Sequence, residues 1–132
     1  MVRHYAGQLN RGCAPYDHDC RLERIGKFVA DHMNYLPDPV GVEAIGLASW
    51  HLKNIRVGGQ TDGDCDDAAV LAGTLARCVG RPVRLHVASF LPDRRLHHIW
   101  AEARGRDRWI QLDPFRSERF NRPETRTLLI EV

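Results

Sequence analysis

No stretch of this chain approaches the ~20 consecutive apolar residues that would cross a bilayer, and its opening, MVRHYAGQLNRG, lacks the apolar core of a secretory signal. The expected location is therefore cytoplasmic, with no membrane partner. An excess of one charge sign is missing too. Lys and Arg number 19 against 17 Asp and Glu, a net charge of +2, so the broad positive field that holds nucleic acid is not there. No internal repeat, low-complexity tract or linker interrupts the 132 residues, and residues 1–132 read as one domain. With 43% hydrophobic and 27% charged residues, the composition supports a single globular core.

Cysteine is sparse: Cys13, Cys20, Cys65 and Cys78. A chain of this size without a signal has no need of disulfide staples, so reduced thiols are expected. In CAPYDHDC, His18 lies between Cys13 and Cys20, but the spacing is too wide for a zinc knuckle and no second cysteine pair follows. A disulfide between these two is the other alternative.

Between Cys20 and Leu36, the apolar residues Leu22, Ile25, Phe28, Val29, Met33 and Leu36 recur at steps of three and four. That spacing predicts an amphipathic helix, capped by Asp19 and stopped by LPDP. A shorter helix is expected from about Val42 to Lys53, entered near Asp38 or Pro39, with Ile45 and Trp50 turned inward. RVGGQTDGD then reads as a loop. From Cys65 to Val79 the chain is apolar nearly all round, which marks a buried central helix. Gly73 in its middle implies the close approach of another backbone, and Gly80 with Pro82 ends the helix.

Beyond that point the period changes to two. Val83, Leu85 and Val87 alternate with Arg84, His86 and Ala88; HHIWAEA, RWIQL and RTLLIEV are further strands. His86 is expected on a solvated strand face. The fold class is α+β, N-terminal helices with a buried central helix packed on a small antiparallel sheet.

The chemistry-bearing residues follow from this layout. If Asp64 is the N-cap, Cys65 is the first helical residue and the Asp67 carboxylate can reach back to the cap. The helix dipole favours a thiolate at Cys65 and its amides suit an oxyanion; aspartates at 62, 64, 66 and 67 oppose ionisation. A hairpin turning at Gly105 and Arg106 pairs His98 with Asp113 and Trp100 with Gln111 on one face, and sends His97 to the other. Cys65, His98 and Asp113 thus form a nucleophile, a base and an orienting carboxylate, the requirement for thiol acyl transfer. An ion pair between Cys65 and His98 is expected to overcome the aspartates.

Other readings of these residues are weaker. Asp62, Asp64 and Asp66 match the start of a calcium loop, but Asp67 and Gly73 stand where glycine and glutamate are needed. His97 and His98 point to opposite faces of a strand, so at most one could share a metal with Cys65. Cys78 reads as a small packing residue, and Trp100 and Trp109 as core or cleft lining.

GDCDDAAVLAGTLARCVGRPVRLHV, HHIWAEA and RWIQLDPF, with NYLPDP upstream, resemble the ordered motif blocks of the transglutaminase-like superfamily. The resemblance spans about Tyr35 to Pro114. It implies a papain-like fold, catalytic roles for Cys65, His98 and Asp113, and no cofactor. By analogy with papain-like enzymes, Gln60 is an oxyanion-hole candidate. The implied reaction is acyl transfer or hydrolysis at an amide or peptide bond of a protein or peptide substrate. GDCDD further resembles copies encoded by bacteriophages and prophages. This suggests an alternative: a non-catalytic assembly module that keeps the fold, sits at a virion and has phage structural proteins as partners.

Overall fold

The computed structural model describes residues 1–38, 46–115 and 122–132. In chain order the elements are α1 (Val2–Leu9), α2 (His18–His32), β1 (Met33–Tyr35), α3 (Ala48–Gly58) and β2 (Thr61–Gly63). They are followed by α4 (Cys65–Cys78), β3 (Val83–Ser89), β4 (His98–Arg104), β5 (Trp109–Gln111) and β6 (Arg126–Glu131). The last four strands form an antiparallel sheet in the order β5-β4-β3-β6; β1 and β2 form a separate parallel pair. This is the α+β arrangement expected, helices first and a small antiparallel sheet after. No helix among the described residues is long and apolar enough to cross a membrane.

Helix α4 is the centre of the core. Leu71, Ala72, Leu75 and Ala76 are fully buried, and α1, α2, α3 and the sheet all pack on it. Its small residues let the sheet approach closely. A Cβ on Gly73 would lie 3.5 Å from Val83 Cγ1 and 3.6 Å from Ala101 Cβ, ordinary contact that leaves room for a methyl group and nothing larger, so the nearest neighbours are two strand side chains and not the backbone expected. Gly80, with φ +80°, takes the left-handed conformation that ends the helix.

Several local expectations need correction. Helix α2 stops at His32, short of Leu36, because Met33–Tyr35 pair with Thr61–Gly63 and the ladder replaces further helical bonds. Met33 is buried from within that strand, whereas Leu36 is exposed. The cap of α2 is Asp17, which accepts from Cys20 N at 3.1 Å. Asp19 instead accepts from Arg106 N at 2.9 Å and ties α2 to the β4–β5 turn. That first turn of α2 brings Cys20 back over the preceding loop, and Cys13 and Cys20 form a disulfide with a Cα separation of 5.9 Å; the expectation of reduced thiols fails there. Cys65 and Cys78 are free, and Cys78 is exposed instead of packed.

Helix α3 runs to Gly58, through what was read as loop, and Gly59 closes it at φ +79°. Its inner face is Ala48, His51, Leu52 and Ile55; Trp50, expected inward, is 52% exposed. The expected start at Val42 and the inward Ile45 lie outside the described residues. His86 is not on a solvated face either: its ring stacks on Trp100 at 4.1 Å and meets Glu102 and Glu124.

The contact at Gly73 sets a measurable expectation. Gly73→Leu should destabilise the fold by about 1–3 kcal/mol through overpacking against Val83 and Ala101. The readout is a lower thermal midpoint; an unchanged one would mean that α4 and the sheet are further apart than described.

Candidate active site

Cys65 owes its position to a reciprocal cap. The Asp64 carboxylate accepts from the amides of Asp66 (3.1 Å) and Asp67 (3.4 Å), and Asp67 Oδ2 accepts from Asp64 N at 3.1 Å. Asp67 does more than cap. Its Oδ1 accepts from Gly46 N at 2.7 Å and from Nε2 of the fully buried His51 at 3.0 Å, and His51 Nδ1 meets Thr61 Oγ1 at 2.7 Å. The start of α4 is therefore fastened to α3, β2 and the chain before α3. Around Cys65 N, the cap occupies the amides of Asp64, Asp66 and Asp67.

His98 opens β4 and is buried. Its Nε2 donates to Asp113 Oδ2 at 2.7 Å, and Asp113 Oδ1 accepts from Phe115 N at 3.0 Å, so both carboxylate oxygens are held. The register differs from that expected. The hairpin is closed by Gly105 N donating to Arg108 O at 2.8 Å, so that Arg106 and Asp107 form the turn. Glu102 then lies opposite Gln111, where Trp100 was expected. A shift of two residues preserves the faces of the sheet. His98 and Asp113 meet diagonally instead of directly, with Asp113 just past the end of β5.

The half-buried Cys65 sulfur accepts the Ile99 backbone N–H. That amide belongs to the peptide joining His98 to Ile99, which puts the thiol beside the start of β4. The thiol donates to Asp66 Oδ1, with Sγ 3.8 Å from the oxygen. The charge of Asp113 acts on the thiol and that of His98 on Asp66, so the four groups share one electrostatic environment. His97 faces away; its Nε2 accepts from Phe90 N at 3.0 Å. Burial, with His98 and Arg95 nearby, lowers its pKa.

Burial also dominates the thiol. It outweighs the Ile99 amide and, joined by the charges of Asp66, Asp64 and Asp113, pushes Cys65 up to about 11. That direction runs against the ion pair expected from sequence and favours a protonated Cys65 thiol at neutral pH. Burial likewise raises Asp64 to about 6 and, with Asp67 and Asp38, raises Asp66. Asp67 goes the other way. Its burial is overcome by the Gly46 and Asp64 amides and by His51, and its pKa falls.

The Gln60 side-chain amide donates to Asp31 O at 3.1 Å, near the end of α2. Tyr35 and Phe115 form an aromatic pair, 5.2 Å between centroids, from the segments leading to Cys65 and away from Asp113.

A family model for the transglutaminase-like superfamily matches residues 3–114. The chain belongs to the transglutaminase-like superfamily. No curated protein and no solved structure matches it. The superfamily match takes in Cys65, His98 and Asp113 and ends before β6.

Among these residues, His51 and Asp66 were not singled out for the site from sequence. His51 had a readable signal, since it shares the three- and four-residue spacing of Ala48, Leu52 and Ile55. Asp66 was one acid among several; only the fold shows which one adjoins the sulfur.

The thiol's environment can be tested directly. In a Cys78→Ser background, thiolate absorbance near 240 nm should titrate with a midpoint close to about 11. Asp66→Asn removes a like charge beside the sulfur and should lower that midpoint. A midpoint that does not move would mean that Asp66 is screened from the thiol.

Proposed function

We propose that the protein is a thiol-dependent enzyme acting on amide or peptide bonds, with Cys65 as nucleophile, His98 as base and Asp113 as its orienting partner. One observation carries this reading: the 2.7 Å bond between His98 Nε2 and Asp113 Oδ2, next to a thiol at a helix start. With Nε2 engaged by the carboxylate, the neutral ring is the Nε2–H tautomer, and Nδ1 is the basic atom.

Because the thiol is protonated at rest, attack and proton transfer occur together. As the Cys65 sulfur bonds to the substrate carbonyl carbon, its proton passes to His98 Nδ1, and Asp113 stabilises the resulting imidazolium. The Cys65 amide, at the positive end of α4, faces the developing oxyanion. Collapse breaks the carbon–nitrogen bond, the leaving amine takes the proton from His98, and a thioester remains on Cys65. Water then releases an acid, or an amine releases a new amide. The substrate is a protein or peptide.

A second reading has one observation in its favour. A thiol raised to about 11 suits a non-catalytic module, such as a phage-particle component, that keeps the fold without using the nucleophile.

An activated ester separates the two. Incubated with p-nitrophenyl acetate at pH 7 to 8, the enzyme should release a burst of p-nitrophenolate and gain one acetyl group on Cys65 by intact mass. Cys65→Ala should abolish the burst, and His98→Ala should slow it by about 10²–10⁴-fold. If Cys65 acetylates no faster than exposed Cys78, and His98→Ala has no effect, the module reading replaces the enzyme.

A further inference from the structure

The bond to Asp113 fixes where His98 Nε2 lies, but it leaves the plane of the imidazole to be set by what packs on it. His98, Trp100 and Glu102 alternate along β4 and so share one face of the sheet. The Trp100 ring, 1% exposed, lies 5.4 Å from that of His98 at an interplanar angle of 43°.

Trp100 is itself held from two directions. His86, directly opposite on β3, stacks on it at 4.1 Å and 22°. Its Nε1–H donates to Glu102 Oε2 at 3.0 Å. Glu102 is 3% exposed, and a carboxylate so buried is costly unless well paired. Its pairing is extensive. Oε1 accepts from Arg84 Nε at 2.7 Å, Oε2 also meets His86 Nδ1 at 3.1 Å, and the Arg84 cation lies over Trp109 at 4.3 Å. A hydrophobic core would be served by an unpinned phenylalanine at position 100. A buried carboxylate with this set of donors does something else: it sets the angle of one indole.

We propose that Trp100, pinned by Glu102, is a positioning residue that fixes the plane of the His98 imidazole. The inference builds on His98 as the base of the proposed enzyme, yet its test does not need turnover. Long-range nitrogen–proton NMR spectra of the ¹⁵N-histidine-labelled protein report the tautomer of each ring. In the wild type, His98 should show the Nε2–H pattern, and nuclear Overhauser contacts should link its ring protons to the Trp100 indole.

Three variants separate positioning from mere packing. Trp100→Phe keeps an aromatic ring and removes the pin; Glu102→Leu removes the pin and keeps the indole; Glu102→Gln keeps an acceptor for Nε1–H. The first two should narrow the separation of the His98 ring-nitrogen resonances as both tautomers become populated, and Glu102→Gln should restore the wild-type pattern. Acetylation of Cys65 should fall by up to about tenfold in the first two, the scale of one aromatic contact. An unchanged His98 pattern in either pin-removing variant overturns the proposal, whatever happens to the melting midpoint. If those variants do not fold, the wild-type spectrum decides: absence of the Trp100–His98 contacts refutes positioning, and their presence with the single tautomer supports it. A protein that shows the tautomer effect but forms no acetyl-enzyme would fail as an enzyme while keeping this contact.

Discussion

The position of Cys65 depends on one carboxylate. Asp67 caps its own helix through Asp64 N and, with its other oxygen, holds Gly46 N and the buried His51. A helix cap alone contributes about 1 kcal/mol, too little to hold a helix end against competing geometries. Removing one partner of a buried hydrogen bond costs about 1–3 kcal/mol, because the other is left unsatisfied. The combination makes the start of α4 one of the more firmly fixed points of the chain. Gly63 has no side chain for the same reason, since a Cβ there would run into Asp67.

The same acids impose an electrostatic cost on the chemistry. Asp64 caps the helix amides and Asp66, in the first turn, accepts from the S–H, and the charges of both disfavour the thiolate. The helix dipole and the Ile99 amide do not restore the balance. In the enzyme proposed above, the demands of a helix terminus would make proton transfer to His98 accompany bond formation, because burial and neighbouring charge favour the protonated thiol. Placement of the imidazole matters more in such a site than in one where the ion pair already exists.

The fold class and the strands were legible because their signals are local and periodic. The central helix was readable from an apolar run bounded by Asp64 and Gly80, and the triad candidates from residue types at three ordered positions. Where the reading failed, contacts distant in sequence decided. The end of α2 depends on β2, some 28 residues later, a pairing that Met33 and Asn34 do not announce. The disulfide depends on a turn that brings Cys20 back toward Cys13. Gln60 was placed by counting residues back from Cys65, a count that carries no sign of its bond to Asp31 O on α2. The hairpin register slipped by two because Asp19, on another element, holds the turn at Arg106. His98 kept its contact with Asp113 only because a slip of two leaves each side chain on its own face.

The burial that raises the Cys65 thiol also ties its ionisation to folding. The unfolded thiol has the ordinary value of 9.0, while the folded one stands at about 11. Between those values an unfolded chain has released its proton and a folded chain has kept it, so stability falls as pH rises through the window. The strain bears on the contact between α4 and β4, where the Ile99 amide meets the sulfur. Whenever that contact opens, Cys65 reverts to an ordinary exposed thiol. In mildly alkaline solution the sulfur is then most accessible to oxidants and trapping reagents in those brief openings, and its chemical lifetime measures how often the helix and the sheet come apart.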